Sequence, residues 1–316
     1  MKKTAALLIG FGGPTKLEEV RPFLKSIVGD SGVPDVRLEQ VYRHYELIGG
    51  VSPFNTITEK QKKALEAALV LGGAPMPVGV AYRHSHPTFR DAFESFRKFG
   101  TETVIGLVLA SFRSFVSREW YYQKLEEGRG LAGAGSIEVR YTAPFDLDPF
   151  YLRAQRERIE EIWSRWSRAE RASSCVVFTA HAIPTFMCER STAENEGRCY
   201  GFQFHEACRR IASEMGLEDW TYCYQSQSGK PGDSWLGPDV KDTIRGLDAE
   251  KVKRLLLVPL GFLCDNVEVI YDLDREAKET AQKRGFEYFR AGTVGDHPFF
   301  IEMMANRILE QIERKK

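Results

Sequence analysis

The 316-residue chain has no excess of either charge, with 44 Lys+Arg against 44 Asp+Glu. That balance argues against a general nucleic-acid or anionic-membrane binder, which would carry a basic surplus. No stretch approaches the about 20 consecutive apolar residues of a spanning helix. The start, MKKTAALLIGFGGP, has the lysines of a signal peptide but only a short apolar run and no small-residue cleavage site, so a buried first strand is the better reading. Low-complexity segments are absent. Cysteine is absent from the first half: all six lie after position 174, too few in a chain this long for a disulfide scaffold. A cytoplasmic enzyme is the expectation, and charge neutrality leaves room for local acidic or basic pockets.

What is present is an alternation of apolar runs and longer amphipathic stretches. Ala5–Phe11, Val78–Tyr82 and Thr103–Leu109 read as strands in the first half. Cys175–Ala180, Thr221–Tyr224 and Leu255–Leu260 do so in the second. Continuous apolar runs suit parallel strands covered on both faces. Helical patterns lie between them: Glu59–Val70, Thr88–Lys98, Gln155–Ala172, Phe204–Met215 and Asp272–Arg284. The pattern predicts an α/β protein of two Rossmann-like domains around a central cleft, residues 1–148 and 149–316, at roughly 150 residues each. Pro149 marks the hinge, and the last helix, Pro298–Glu313, is long enough to pack back on the first domain.

In open parallel sheets, ligands sit at the carboxyl ends of the strands, so the residues there matter most. GFGGP at 10–14 lacks the Lys-Ser/Thr of a P-loop, and its proline removes a phosphate-binding N–H. A tight turn near a flat ligand fits it better. Arg83-His84-Ser85-His86-Pro87 reads either as a cationic rim or as a polar helix start, and two histidines alone make no closed zinc site. His181 ends the buried strand 175–180, where its ring could accept a proton or bind a metal; a structural histidine is the bland alternative. Glu268, Asp272 and Glu276 recur every four residues and share one helix face. Such a row repels itself unless protons or cations occupy it; a solvated acidic face is the alternative.

Taken in order, GFGGP (10–14), YELIGGVSP (45–53), YRHSHP (82–87), TAHAIP (179–184), YQSQSG (224–229), WLGPDV (235–240) and VPLGFLCDNVEVIYDLD (258–274) resemble ferrochelatase nearly end to end. The resemblance implies an enzyme inserting Fe²⁺ into a porphyrin with release of two protons. His181 then matches the pyrrole base or metal ligand, and Glu268 the carboxylate facing it. Asp272 and Glu276 match a route for protons out or iron in. Phe11, Tyr45, Ser52 and Arg83 match porphyrin-contacting positions. One His and one Glu leave iron open positions, so it can be passed on.

Departures from the family pattern carry their own expectations. Asn266 stands where many relatives have histidine, HAIP replaces HSIP, and Phe11 replaces an iron-ligating tyrosine. The last favours protoporphyrin IX over coproporphyrin III. Aromatics at Phe112, Phe115, Trp120, Tyr121 and Tyr122 could touch a membrane or a neighbouring haem-pathway enzyme, or form a packed helix. An apparent insertion after HAIP holds Cys188 and Cys199, with Cys208 following. Because some ferrochelatases carry a [2Fe–2S] cluster, these three with Cys223 (or Cys264 or His205) form a candidate ligand set. Such a cluster predicts visible absorbance in anaerobically purified protein; a colourless, iron-free sample excludes it.

Overall fold

The computed structural model describes residues 3–29, 34–194, 197–227 and 234–313. In chain order the first part runs β1 (Thr4–Gly10), α1 (Val20–Val28), α2 (Asp35–Leu47), α3 (Phe54–Leu71), β2 (Val78–Tyr82), α4 (Phe89–Lys98), β3 (Thr103–Val108), α5 (Phe115–Leu131) and β4 (Glu138–Tyr141). The second runs α6 (Pro149–Trp163), α7 (Arg168–Ala172), β5 (Ser174–His181), α8 (Thr185–Glu194), α9 (Tyr200–Met215), β6 (Trp220–Gln225), α10 (Val240–Gly246) and β7 (Arg254–Val258). A π-helix (Val269–Ala277), α11 (Lys278–Lys283), β8 (Glu287–Arg290) and α12 (Pro298–Glu313) complete it.

The strands form two sheets, ordered β2-β1-β3-β4 and β6-β5-β7-β8, with every pairing parallel. The two orders are the same, so the halves repeat one topology despite little sequence likeness. In each, the chain leaves the first strand for one neighbour and later crosses to the other side. The loops after β1 and β5 therefore sit at switch points, where α/β sheets bind ligands. GFGGP follows β1, and His181 ends β5.

Alternation explains the continuous apolar runs. Ala6 and Leu8 of β1 and Val176, Phe178 and Ala180 of β5 face one shared core with α6, α9 and α12. Leu7 and Ile9 face the opposite side of the first sheet, and Cys175 and Val177 that of the second. Helix α12 packs on α3 and α6; Arg307 pairs with Asp148 at 2.8 Å, and Arg140 donates to the Gln311 carbonyl at 2.9 Å.

Differences from the sequence expectations cluster at edges and ends. β4 and β8 escape notice because each is a four-residue edge strand, EVRY and EYFR, with charges and no long apolar run. The pattern over 155–172 breaks into α6 and α7 around Trp166, a buried residue. Asp272–Arg284 is a π-helix followed by α11. No helix among the described residues is long and apolar enough to cross a membrane.

Close approaches fix the switch-point loops. Gly12 has φ +86°, and a Cβ on Gly13 would lie 2.7 Å from the Ser52 side chain. Asn55 closes this turn, accepting from Gly13 N–H at 3.0 Å and donating to its carbonyl at 2.9 Å. The amide a phosphate would need is thus already used, which accounts for the double glycine as a packing requirement. A Cβ on Gly261 would meet Ala180 Cα at 2.7 Å and Cβ at 2.6 Å. Gly261→Ala is expected to destabilise the fold by about 1–3 kcal/mol, seen as a lower urea midpoint, because neither backbone can yield without moving His181.

Candidate functional site

His181 lies at the last position of β5, and Glu268 at the start of the π-helix after β7, the strand beside it. Their side chains meet with Nε2 3.2 Å from Oε1. Nδ1 is 2.5 Å from the Ala182 carbonyl, which can only accept, so Nδ1 carries a proton. Nε2 is then the nitrogen free to exchange a proton with Glu268 or to bind a metal. Burial opposes the imidazolium, but the charge and hydrogen bond of Glu268, the Ala182 carbonyl and Asp272 outweigh it and raise the His181 pKa to about 9. Burial likewise opposes ionisation of Glu268, yet His181 and a hydrogen bond from Asn266 hold its pKa below the usual carboxylate range. Both shifts point to an imidazolium–carboxylate pair at rest, and side-chain exposures of 32% and 36% leave it screened by water.

Several side chains hold this pair in place. Asn266 Nδ2 donates to Glu268 Oε2 at 3.5 Å, and its Oδ1 accepts Val269 N–H at 2.9 Å. The departure from histidine thus keeps a hydrogen bond to the glutamate. Buried Gln225 links the strand ends, accepting from Thr179 Oγ1 at 2.9 Å and donating to the Glu268 carbonyl at 3.1 Å. Tyr200 donates its hydroxyl to the His181 carbonyl at 3.0 Å.

Asp272 follows on the same face, accepting a hydrogen bond from Ser226 Oγ. Ser226 has φ +62°, in the left-handed region a serine rarely adopts. Burial chiefly, with the charges of Glu268 and Glu276, raises the Asp272 pKa to about 7 against the lowering effects of Ser226 and His181. Glu276 completes the row and pairs with Lys241 Nζ at 2.9 Å. The four-residue spacing keeps Glu268, Asp272 and Glu276 on one face of the π-helix. Sequence reasoning missed Gln225, Ser226, Lys241 and Tyr200. The polar run Tyr224-Gln225-Ser226-Gln227 at a strand end was the available signal for the first two; Ser228 and Gly229 of that turn lie outside the described residues.

The porphyrin-matching residues spread over the other half. Phe11 packs on His84 at 4.6 Å and Phe23 at 6.0 Å. Tyr45 and Ser52 are each 3% exposed, and burial and the charge of Glu268 raise the Tyr45 pKa, which places Tyr45 beside the pair. Phe23, Leu24 and Tyr45 pack with Val267, so the lip formed by α1 and α2 touches the second half. Arg83 lies over the Trp120 ring at 4.6 Å. His84 is kept neutral by burial and Arg83, with a pKa near 4, and its Nδ1 lies 3.0 Å from Ser26 Oγ, whose proton goes to the Phe23 carbonyl at 2.7 Å. His86 pairs with Asp91 of the α4 capping box. Phe112 and Tyr121 are buried and Tyr122 stacks on Tyr141 at 3.8 Å, whereas Trp120 is 36% exposed beneath Arg83; the Phe115 side chain lies outside the described residues.

The four cysteines do not fit a [2Fe–2S] cluster. The Cys188 thiol neighbours that of Cys199 and accepts Gly201 N–H at 3.5 Å. Cys208 is fully buried in the shared core with Phe204 and Ile211. Cys223 points to the opposite face of the second sheet, against Val240 and Ile244, because adjacent strand positions alternate. Cys264 is held by Gln61 Nε2 at 3.4 Å, and His205 lies 4.8 Å from the Tyr222 ring. Among the described residues no three His, Cys, Asp or Glu side chains form a metal-holding group. Residues 195–196, within the insertion, lie outside the described residues.

The ferrochelatase family model matches residues 3–312. The chain belongs to the ferrochelatase family. Ferrochelatase of Rhodopirellula baltica is 32% identical over 307 residues, covering 97% of this chain and 85% of the relative. Coproporphyrin III ferrochelatase of Propionibacterium freudenreichii is 35% identical over 317 residues, covering 98% and 88%. In fold, the sirohydrochlorin chelatase SirB of Bacillus subtilis subspecies spizizenii, solved with cobalt, superposes with a TM-score of 0.59 at 14% identity, covering 98% and 96%. The protein is therefore an enzyme of the metal-chelatase kind, with two chelatase-type parallel sheets.

The raised pKa of Asp272 has a defined consequence for stability. Its folded pKa exceeds the unfolded value, so its contribution is most favourable at low pH and is lost as pH rises from about 4 through about 7. Asp272→Asn, which can still accept from Ser226, is expected to raise the melting temperature more at pH 8 than at pH 5. Equal shifts at both pH values would contradict the assigned environment.

Proposed function

We propose that the enzyme inserts Fe²⁺ into a porphyrin at the His181–Glu268 pair and passes the two displaced pyrrole protons along Asp272 and Glu276. The pair's geometry carries the reading. Nδ1 is committed to the Ala182 carbonyl, so one nitrogen, Nε2, is presented beside one carboxylate. At rest this nitrogen holds a proton. Divalent iron approaching Glu268 weakens the carboxylate's hold on that proton, and the imidazole, once neutral, can take a pyrrole proton or bind the metal. Asp272 titrates near neutrality, so it can accept a proton from the pair and release it outward.

The macrocycle must bend for its nitrogen lone pairs to reach the metal. Binding energy from its apolar faces can supply that strain. Phe11, Phe23, Tyr45 and Val267, which pack in one cluster, supply apolar surface of the kind such binding needs. Arg83 offers a cation for carboxylates at the rim, while buried Ser52 shapes the turn at Gly13 behind it.

For the porphyrin itself, the relatives support coproporphyrin III, since the Propionibacterium freudenreichii and Mycobacteroides abscessus enzymes carry that name. Protoporphyrin IX is the second reading, favoured by Phe11, which cannot ligate iron. Steady-state insertion with the two porphyrins in parallel decides between them: a kcat/KM at least tenfold higher with one assigns the substrate.

Two outcomes test the chemistry. His181→Ala is expected to lower kcat by about 100-fold or more while porphyrin affinity is largely kept; unchanged turnover would overturn the reading. Because the neutral imidazole is the active form and its resting pKa is about 9, kcat/KM for Fe²⁺ is expected to rise with pH between about 7 and 9. Glu268→Gln, which removes the charge holding the proton, should move that rise to lower pH while reducing kcat.

A further inference from the structure

The three carboxylates of the row are neutralised differently. Glu268 has an imidazole, Asp272 a serine hydroxyl, and Glu276 a full ammonium charge, Lys241 Nζ at 2.9 Å. Lys241 is the second residue of α10, and that helix is fixed to the site. Asp239 caps it, accepting Lys241 N–H at 2.8 Å, and Tyr224 N–H donates to the Pro238 carbonyl at 2.8 Å. The ammonium thus emerges from a rigid base on a flexible stem.

Its surroundings are acidic and wet. Asp239 and Asp272 add to the pull of Glu276 on the Lys241 charge, and together these outweigh the effect of its partial burial. Lys241 and Glu276 side chains are each 36% exposed. Across from them stands the lip: His44 of α2 stacks on Tyr271 at 3.6 Å and feels the charges of both Glu276 and Lys241. The outer end of the row therefore meets solvent between α10 and the lip, with a lysine seated where a cation from solution would arrive.

A lysine suits that place because its ammonium is a compact charge that can swing into water and rehydrate without leaving its backbone position. The pair is too exposed to be a strong structural bond. A divalent ion reaching Glu276 gains twice the charge interaction that the ammonium gives up. We infer that Lys241 is a displaceable counter-ion at the outer end of the carboxylate row, which lowers the row's affinity for divalent metal and so sets the metal KM of the reaction. The inference rests on the reading of the row as the metal and proton route.

Anaerobic insertion kinetics test it, with Fe²⁺ varied at saturating porphyrin and porphyrin varied at saturating Fe²⁺. Lys241→Met is expected to lower the metal KM roughly threefold to tenfold, with the porphyrin KM unchanged and the difference shrinking at high salt. Lys241→Arg should keep the ion pair and stay near the wild-type metal KM. Glu276→Gln should raise the metal KM, and adding Lys241→Met to it should produce no further fall, since the lysine then has no carboxylate to occupy. An unchanged or raised metal KM in Lys241→Met overturns the inference. So does a lower melting temperature with reduced kcat as its sole effect, which marks a structural tether. If Glu276→Gln alters the metal KM while Lys241→Met does not, the counter-ion role alone fails. If neither does, the route fails and the counter-ion role falls with it.

Discussion

The half-buried ion pair of His181 and Glu268 is the interaction around which the second half is organised. An imidazolium and a carboxylate at 3.2 Å stabilise each other enough to overcome the burial that opposes both charges. Each has one remaining hydrogen-bonding direction, and the fold uses both, with Ala182 for Nδ1 and Asn266 for the second carboxylate oxygen. What brings the two residues together is backbone contact: Gly261 lies against Ala180, so the loop after β7 crosses directly over the end of β5. A side chain at 261 would separate the strand ends and the pair with them.

Outward from this pair the row changes character. The inner site is an ion pair, the middle carboxylate has a pKa near neutrality, and the outer one faces a lysine. Burial does most of the work in the middle, because a carboxylate flanked by two others inside the protein ionises less readily. The four-residue spacing keeps the three in line along the π-helix, and Gln225 and Ser226 hold its start against the end of β6. Ser226 adopts its left-handed backbone where its hydroxyl meets Asp272, a local strain beside the carboxylate row.

Most of the scaffold was legible from local pattern. Six of the apolar runs are strands, and their lack of alternation correctly signalled coverage on both faces. His181, Glu268, Asp272 and Glu276 were all identifiable because they follow such runs. The edge strands β4 and β8 were not, since four residues with charges carry too little pattern. The resemblance suggests one group of cysteines, and the structure gives it no support: strand alternation sends Cys223 to one side of the sheet while Cys208 points into the other core. The glycines of GFGGP were read as a turn, and the structure adds what they avoid, namely Ser52 and Ser85.

By itself the sequence determined the class of fold and the positions where chemistry could occur, because hydrophobic periodicity and strand ends are local properties. The neutrality of its overall charge concealed how those charges are distributed. Which partner each acidic residue meets was decided only by tertiary structure: His181 lies 87 residues from Glu268, Ser226 lies 46 from Asp272, and Lys241 lies 35 from Glu276. Separations of that size leave no periodic trace. Only the packing of strand ends, loop and π-helix gives a repulsive row of carboxylates an imidazole at one end and an ammonium at the other.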